Sequence, residues 1–472
     1  MKLLNLEDIS NLSIKDVHDL YSKYVNKSQV NLISKFGFGN DIAIKAEGCF
    51  IYTKNNKKIY DFTGGIGVLN HGHNHPRILK VRESFAQNKK MEVHKNFFSP
   101  YVAGLSHNIA TLLSNHLKIS YLSNSGADAN EGALKLAYKY HQGKKDYVLS
   151  SDISFHGKKV GAGNVTGSKE TSYFNFQQIL KTKKFIYNDL ESVKQLVKDL
   201  RKNNLSNIYA IIIEPFSASS LLSCSESFLR GLRDICNKEN IVLIYDEVYS
   251  GWCKTGNLFY FMNFNNVEPD ILTSGKSLGG GKASISAYTC KEKFFKKSYD
   301  NLRDATLHST TFNAFGEETI TAIEAINILI EDDYVKKSKK IFDIINPGLI
   351  ELKKKYPSII KDVRGSGSLN GIVINTNFTD KYFLPLIKLI PTEFTKDDYV
   401  FKKIVVSSII SELYDTHNIL TFYGSNVDLP LKISAPIITK KEYIDYFLNS
   451  LDKTLSMGLI KLITKFIKKN IL

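Results

Sequence analysis

The chain has 472 residues, 43% of them hydrophobic, and a formal charge of +16 at pH 7. A chain of this length can bury a large core, so we expect two domains, or one large and one small domain. Its apolar runs stay short of the roughly 18 residues that a membrane-spanning helix needs, which argues against an integral membrane protein.

The positions of the lysines and cysteines argue against several kinds of partner and binding site. The lysines are spread along the whole chain and no nucleic-acid motif accompanies them, so we expect no nucleic-acid partner. The five cysteines are scattered and form no CxxC pair, which fits a reducing compartment without a disulfide framework or a zinc site. The stretch from Met1 to Ser10 carries acidic residues and lacks the apolar core of a signal peptide. We therefore expect a cytoplasmic protein.

Residues 1–75 are predicted to form an N-terminal arm followed by a hairpin segment. Residues 1–45 are polar with a stripe of Ile, Leu and Tyr, which indicates helices. Two short apolar runs, at 48–52 and 59–62, flank a Lys/Asn turn and predict the two strands of the hairpin.

Three histidines alternate in the glycine-rich stretch after the hairpin: His71, His73 and His75. On a strand, this period of two would put all three on one face, as a metal site requires. The neighbouring glycines and Pro76 favour a loop instead, and no nearby carboxylate or cysteine completes a ligand set. We therefore expect no metal site.

From residue 76 the chain alternates between helical stretches and short apolar strands, and we predict a large domain over 76–333. One of these helices starts at a Ser-Gly turn formed by Ser125, Gly126 and Ala127. The first N–H groups of a helix are unpaired and the helix dipole is positive there, so this start can bind an anion. An ordinary N-cap by Ser125 or Asp128 is the simpler alternative, and both interpretations stay open.

A short apolar strand is predicted at 119–122, and further buried strands are predicted to begin at Val148, Ile208 and Ile241. Continuous apolar strands separated by helices indicate a parallel sheet covered on both faces. Ligands of such sheets bind at the carboxyl ends of the strands. We therefore group the polar and aromatic residues at these ends into one site: Phe155, His156, Glu214 and Asp246.

Lys276 lies in a glycine-flanked turn just after a short apolar strand through Ile271 and Leu272. Gly275 before it and the glycine run at 279–281 after it would let a planar group approach the backbone closely. A lysine amine removed from water loses its proton more easily and can form a Schiff base with a carbonyl. The alternative is a surface lysine in a flexible loop.

The pattern changes near Tyr334 and predicts a smaller α+β domain over residues 334–456. The last stretch, 457–472, predicts a basic amphipathic helix, with apolar side chains at helical spacing opposite lysines. A helix of this kind can lie on an anionic membrane or dock on a partner. Packing of a terminal helix on its own subunit is the interpretation that we favour.

These motifs resemble, in type and order, those of the class III (fold-type-I) pyridoxal-phosphate-dependent aminotransferases. This group includes ornithine, putrescine and 4-aminobutyrate aminotransferases, and the resemblance covers roughly residues 45–440. It implies an α/β fold with a large cofactor-binding domain, whose mostly parallel sheet is flanked by helices, and a smaller α+β C-terminal domain. It also implies pyridoxal 5'-phosphate (PLP) as the cofactor and a homodimer with shared active sites. Relative to compact members, the segment from 378 to 401 looks like extra sequence in the small domain.

The resemblance assigns roles to the reactive groups. Lys276 resembles the lysine that holds the cofactor as a Schiff base and later moves a proton between substrate and cofactor. Asp246 resembles the carboxylate that pairs with the ring nitrogen, and Glu214 resembles a carboxylate near the cofactor pocket.

The resemblance also implies how the rest of the cofactor is held. Phe155, next to His156, would stack on one face of the ring, and Val248 would pack on the other. Thr311, in the H-S-T-T-F stretch at 308–312, resembles the threonine that reaches the phosphate from the partner subunit. Hydroxyl and backbone N–H groups at the helix start would hold the phosphate: Ser125, Gly126 and Ala127.

The substrate side of the site departs from the family pattern. Ser219 stands where the family commonly has a glutamate that can pair with a carboxylate-binding arginine. Tyr249 stands where a glutamine often touches the phenolic oxygen of the cofactor. Lys432 stands where that arginine is expected, and lysine cannot hold a carboxylate through two parallel hydrogen bonds. The resemblance therefore predicts the reaction more closely than the substrate.

We predict an aminotransferase that moves an amino group from an ω-amine, diamine or amino acid to a keto-acid or aldehyde acceptor through Lys276. The spacing of the motifs favours the diamine or ω-amino-acid branch of the family. An aminomutase or racemase of the same fold, which would need no keto-acid acceptor, is the alternative. A catalytically silent scaffold is a further one, and the presence of Lys276 together with Asp246 argues against it.

Overall fold

A computed structural model describes residues 3–35, 39–167, 178–376, 398–425 and 428–470. Most of the predicted extra segment at 378–401 lies outside these residues.

A seven-stranded sheet forms the centre of the larger part of the molecule. Every strand runs in the same direction except Ser286–Cys290, which is antiparallel to both of its neighbours. The predicted mostly parallel sheet is thereby confirmed. In spatial order the strands are Ile119–Ser123, Ser286–Cys290, Ile271–Ser274, Val242–Asp246, Ile208–Ile213, Tyr147–Ser151 and Lys181–Phe185.

The two faces of this sheet are buried in two separate hydrophobic clusters. In the central strands, Ile211 and Leu243 point into one cluster, while Ile212 and Ile244 point into the other. This alternation follows from the two-residue period of a strand, so a strand with apolar residues at every position is buried on both faces. Helices cover both faces: Pro76–Gln87, Pro100–Leu112, Gly126–Tyr140, Val160–Val165, Leu190–Asp199, Glu226–Glu239, Glu292–Ser298 and Gly316–Glu331.

Two strands of the sheet have no counterpart in the sequence prediction. Lys181–Phe185 reads K-T-K-K-F and lies at one edge of the sheet. Charged side chains, lysine above all, keep an edge strand from pairing with another molecule, so this strand lacks an apolar pattern. Ser286–Cys290 is buried throughout but consists mostly of small or weakly polar residues. In both strands the position in the sheet, rather than local hydrophobicity, determines the conformation.

The N-terminal part contains the predicted helices and hairpin. The hairpin pairs Phe50–Thr53 with Lys58–Asp61, and Ile419–Leu420 from the C-terminal part of the chain adds a parallel strand. A further strand, Ala43–Glu47, lies where the sequence predicted the end of the helical arm. The arm itself consists of Leu6–Ser10, Ile14–Tyr21, a π-helical turn at Ser22–Asn26 and Lys27–Lys35.

The C-terminal part is built on a four-stranded antiparallel sheet and three long helices. The strands, in spatial order, are Ile360–Ser366, Leu369–Ile374, Leu431–Ser434 and Phe422–Tyr423. The helices are Tyr334–Lys355, Asp398–His417 and Lys441–Ser456. The limits of the domains predicted from the sequence stay a prediction. Shorter elements elsewhere are Gly64–Gly67, Arg201–Lys202, Leu205–Ser206, Phe216–Ser217, Leu222–Ser223, Tyr260–Asn263 and Lys276–Gly279.

The basic stretch at the C-terminus forms a helix, Leu459–Asn470, that packs on its own subunit. Its apolar face is buried in the same hydrophobic cluster as the C-terminal part: Leu459, Leu462, Ile463 and Phe466. Two of its lysines pair with the helix beneath, Lys465 with Glu412 and Lys469 with Asp415, each at 2.6 Å. This arrangement supports packing on the same subunit over a membrane contact. No helix in the described ranges is both long and apolar enough to cross a membrane.

Replacement of Phe466 by alanine is expected to lower the free energy of unfolding by about 3–5 kcal/mol, the usual cost of removing a buried aromatic side chain. Phe466 is 3% exposed and closes this cluster, whereas Ile460 on the same helix is 51% exposed. Ile460→Ala is the matched control and should change stability by less than about 0.5 kcal/mol. Urea unfolding followed by circular dichroism measures both variants. Equal midpoints for the two would contradict the packing described here.

Candidate active site

A cavity of about 570 Å³ lies at the carboxyl ends of the central strands. Side chains from the turns after these strands line one side, and Phe422 and Lys432 of the small sheet line the other. Most of the predicted site residues meet in this cavity: Gly126, Ala127, Phe155, His156, Glu214, Asp246, Val248, Tyr249, Lys276 and Lys432. Ser125 and Thr311 lie outside this lining.

Asp246 is fixed in one orientation by hydrogen bonds from three directions. Its Oδ2 accepts from Asn130 Nδ2 at 2.7 Å and from His156 Nδ1 at 2.8 Å, and its Oδ1 accepts from the Val248 backbone N–H at 3.0 Å. Asn130 is itself held, because its Oδ1 accepts from the Thr273 hydroxyl at 2.7 Å. The carboxylate is only 4% exposed, and these donors compensate for its loss of water.

Asn130 is a residue of the site that sequence reasoning missed. It lies four positions after Gly126 on the helix Gly126–Tyr140, and residues with this spacing share a face of a helix. The spacing from the glycine at the helix start was therefore the signal that could have found it.

Lys276 begins a short turn directly after the strand Ile271–Ser274. Its Nζ donates to the Ile66 carbonyl at 2.9 Å and lies 4.4 Å from the centre of the Tyr249 ring. Burial lowers the pKa of Lys276 to about 8, although Asp246 and Glu214 act in the opposite direction. The amine is therefore held inside the cavity and releases its proton more easily than an ordinary lysine.

Phe155 and Val248 give the cavity an apolar lining, and the helix start lies close to Val248. A Cβ atom on Gly126 would come within 2.5 Å of Val248 Cγ1, so only glycine lets the helix start approach Val248 this closely. The Ser125 hydroxyl caps the helix, accepting from the Asp128 N–H at 3.3 Å and donating to its carboxylate at 2.7 Å. The N-cap interpretation therefore describes this side chain, while Gly126 and Ala127 face the cavity.

Glu214 is a buried carboxyl group on the floor of the cavity. It accepts hydrogen bonds from the backbone N–H groups of Phe155 at 2.9 Å and Ala218 at 3.2 Å. Burial, together with the nearby Asp246, raises the pKa of Glu214 to about 8. At neutral pH this group therefore holds a proton more readily than an exposed glutamate.

Tyr249 separates two lysines. Its hydroxyl donates to Ser434 Oγ at 3.2 Å, and its ring centre is 4.4 Å from Lys276 Nζ and 4.5 Å from Lys432 Nζ. Lys432 Nζ also lies 4.8 Å from the ring centre of Phe422, a wall residue that sequence reasoning missed because its strand has only two residues.

The three histidines of the N-terminal loop have separate partners. His71 Nε2 lies 2.9 Å from the Ala325 carbonyl oxygen, and His73 Nε2 lies 2.8 Å from the Asp61 carboxylate. His75 directly precedes the helix Pro76–Gln87. Across the residues that the structure describes, no group of three His, Cys, Asp or Glu side chains is arranged to hold a metal ion.

The residues of the cavity fit PLP. The cofactor carries an aldehyde, a basic ring nitrogen, a planar ring and a phosphate. The cavity offers an amine on Lys276, an enclosed carboxylate on Asp246, apolar side chains at Phe155 and Val248, and a helix start at Gly126.

A family model and a curated relative identify the same family for this chain. The model of the family "Aminotransferase class-III" matches residues 40–455. Acetylornithine aminotransferase from Prochlorococcus marinus subsp. pastoris is 34% identical over 347 residues, which are 71% of this chain and 79% of that protein.

Solved structures show the same fold. The ornithine aminotransferase from Toxoplasma gondii ME49 has a TM-score of 0.79 at 20% identity, covering 97% of this chain and 99% of that one. Taurine:2-oxoglutarate aminotransferase from Bifidobacterium kashiwanohense, solved in complex with PLP and glutamate, has a TM-score of 0.81 at 21% identity, covering 96% and 99%. The predicted fold-type-I architecture is confirmed, and neither the mutase nor the scaffold alternative is favoured. The chain belongs to the class III aminotransferases, a family of PLP-dependent enzymes.

Proposed function

We propose that this aminotransferase works through Lys276 and Asp246 in the cavity at the strand ends. The observation that supports the proposal is that an amine of lowered pKa and an enclosed, triply hydrogen-bonded carboxylate line the same cavity. When bound, PLP supplies an electron sink for breaking bonds at the carbon that carries the amino group.

Lys276 would hold the cofactor and move the proton of the reaction. Its Nζ must be neutral to attack a carbonyl or to accept a proton, and it must be protonated to return one. The lowering of its pKa to about 8 makes both forms accessible near neutral pH. The Ile66 carbonyl would guide the amine, because it accepts its hydrogen bond in the absence of substrate.

Asp246 would keep the ring nitrogen of the cofactor protonated. The donors on Asn130 and His156 stabilise the charged carboxylate and hold it in place. Phe155 and Val248 would exclude water from the two faces of the ring. The backbone N–H groups at Gly126 and Ala127 would bind the phosphate, while Glu214 would serve as a protonated group at the floor of the pocket.

The substrates would be an amine or amino-acid donor and a keto-acid or aldehyde acceptor, with the ω-amine and diamine branch preferred. The names of the relatives support this range, since they include acetylornithine, ornithine and taurine aminotransferases. Lys432 would contact a substrate carboxylate, and Tyr249 would form the wall between this lysine and Lys276.

The protein would be a homodimer with shared active sites. Thr311 lies on an exposed segment that contacts the residue before Ser125, since Asn124 Nδ2 donates to the Phe312 carbonyl at 3.0 Å. Lys95 joins a second exposed segment to this one through the Thr310 carbonyl. Large apolar side chains on or near these segments are exposed in the single chain and would be covered by a second copy: Phe97, Phe98, Leu302 and Phe312. We expect the protein to sediment in the analytical ultracentrifuge with the mass of two chains.

A cytoplasmic location is also proposed. All five cysteines are buried and free, which suits a reducing compartment.

The test is the visible absorbance spectrum of the protein loaded with PLP, recorded before and after each amine is added without an acceptor. The panel is putrescine, ornithine, acetylornithine, 4-aminobutyrate, glutamate and alanine. Loss of the visible band with one donor, and its return with a keto acid, is the expected result and identifies the donor class. A coloured protein that no donor bleaches would contradict the proposed substrate range. A protein that cannot be loaded with PLP would contradict the assignment of the cavity.

A further inference from the structure

Lys432 occupies an unusual environment for a lysine. It lies on the strand Leu431–Ser434 directly opposite Phe422, and it is 3% exposed. Its Nζ is 4.5 Å from the centre of the Tyr249 ring and 4.8 Å from that of Phe422. The amine is therefore enclosed by aromatic rings, yet it belongs to the lining of the cavity.

The charged and titratable groups around Lys432 do not neutralise it. Lys276 and Lys254, which lie in the turns after two central strands, disfavour a positive charge on Lys432. Glu214 is the nearby acid, but its raised pKa favours the protonated form, and Asp246 is already occupied by Asn130 and His156. Tyr249 has its hydroxyl bonded to Ser434, and Tyr423 lies on the strand that carries Phe422. Among the described residues, Glu214 is the acid that acts on Lys432, and it does so through its charge without a hydrogen bond to the amine.

Arginine is absent from the described lining, and its lysines are Lys158, Lys276 and Lys432. Lys158 is exposed at the rim, and Lys276 is the proposed cofactor lysine. A substrate carboxylate that enters the cavity deeply therefore meets Lys432 as its available cation. The rings of Tyr249 and Phe422 can tolerate a cation, but they supply much less stabilisation than a carboxylate does.

We propose that Lys432 binds the carboxylate of the substrate together with a proton, so that the affinity for carboxylate substrates falls as the pH rises above neutrality. This inference rests on the proposed function and adds a pH-dependent selectivity to it. Donors and acceptors with a carboxylate at this position would lose affinity in alkaline solution, whereas diamines would not lose it by this route.

The direction of this pH dependence follows from the surroundings of Lys432. Burial, and then Lys276, lower the pKa of Lys432 to about 7 in the cavity without substrate. A bound carboxylate stabilises the ammonium and returns the pKa toward its ordinary value. One pH unit above its pKa a group is about one-tenth protonated, so binding at pH 8 would take up about 0.9 proton and binding at pH 6 about 0.1. For the same reason the dissociation constant would rise about tenfold for each pH unit above 7. An arginine at this position stays charged and would show neither effect.

The experiment is isothermal titration of glutarate into the PLP-loaded protein at pH 6 and pH 8, in buffers with different ionisation enthalpies. Glutarate has two carboxylates but neither an amine nor a carbonyl, so it binds without reacting. The number of protons taken up is compared between the wild type and Lys432→Arg, with Lys158→Arg as a matched control from the same lining. Protons taken up at the link between Lys276 and the cofactor are followed separately through the visible band of the loaded protein at both pH values, and they are subtracted for each protein before the comparison.

The expected result is an uptake at pH 8 that is larger by about 0.9 proton in the wild type and in Lys158→Arg than in Lys432→Arg. At pH 6 the three proteins should agree to within about 0.1 proton. Equal uptake by the wild type and Lys432→Arg at pH 8 would overturn the proposal, as would a failure of glutarate to bind to either of them at pH 6. The visible spectrum of loaded PLP, recorded on the same samples, tests the proposed function separately.

Discussion

Replacement of Lys276 by alanine is expected to lower the rate of amino transfer by about 10³-fold or more, because one amine both holds the cofactor and moves the proton. The variant should also fail to show the visible band of a lysine-bound cofactor. Folding should not suffer, since the amine makes one hydrogen bond to the Ile66 carbonyl and otherwise lies over the face of the Tyr249 ring. Removal of a lysine whose pKa is lowered by burial also removes a desolvation cost.

Lys282→Ala provides the matched control, because Lys282 is exposed and lies only six positions further along the chain. Stopped-flow absorbance with the best donor measures the rate in both variants, and urea unfolding checks the fold. A Lys276→Ala protein that keeps both its colour and a rate within tenfold of the wild type would show that another amine carries the cofactor. Lys432, which lies on the other side of Tyr249, would then be the candidate.

The central strands were predictable because they are buried on both faces. Ile208–Ile213 and Val242–Asp246 are fully buried, and burial of every position requires a continuous apolar run that the sequence displays. Their carboxyl ends then had to lie side by side, which is why Glu214 and Asp246 could be grouped from the sequence alone. The edge strand Lys181–Phe185 lacks this signal, since it must resist pairing rather than fill a core.

The site was predictable only where one residue type is tied to the chemistry. An amine and an enclosed carboxylate are required by the cofactor, so Lys276 and Asp246 could be proposed from their motifs. Asn130 and Phe422 could serve equally well in ordinary packing, and only their distance from Asp246 and Lys432 distinguishes them. The C-terminal helix could likewise be predicted only in part. Its amphipathic pattern identifies an apolar face, but the pattern does not identify the surface on which this face packs.

Asp246 and Glu247 are neighbouring buried carboxylates with different environments. Asp246 lines the cavity and accepts from Asn130, His156 and the Val248 backbone. Glu247 instead accepts from the backbone N–H groups of Tyr260 at 2.6 Å and Phe261 at 2.9 Å and from the Ser250 hydroxyl at 2.9 Å. Asp246 is therefore the carboxylate that would act on the cofactor, whereas Glu247 stabilises a turn.

Asp246→Asn is expected to lower the rate of the first half-reaction by about 10²- to 10³-fold, the usual loss when one preorganised electrostatic contact is removed from an active site. The asparagine amide is neutral, and it replaces one carboxylate oxygen by an NH₂ group. This NH₂ group would face a side chain or backbone N–H that now donates to Asp246. Glu247→Gln should instead lower the free energy of unfolding by about 1–3 kcal/mol, because the new NH₂ group would face a buried donor that the carboxyl group now accepts from.

Single-turnover absorbance on protein saturated with PLP compares the two variants at equal cofactor occupancy, and urea midpoints report their stability. The rate per loaded site should remain within about threefold of the wild type in Glu247→Gln, because a change that leaves the cavity lining intact acts on stability and not on the reaction. The reverse pattern, with a full rate in Asp246→Asn and a large loss in Glu247→Gln, would move the proposed cofactor contact from one carboxylate to the other. Because the two residues are adjacent in sequence and both buried, their hydrogen-bond partners and the position of Asp246 in the cavity lining predict which variant loses the reaction and which loses stability.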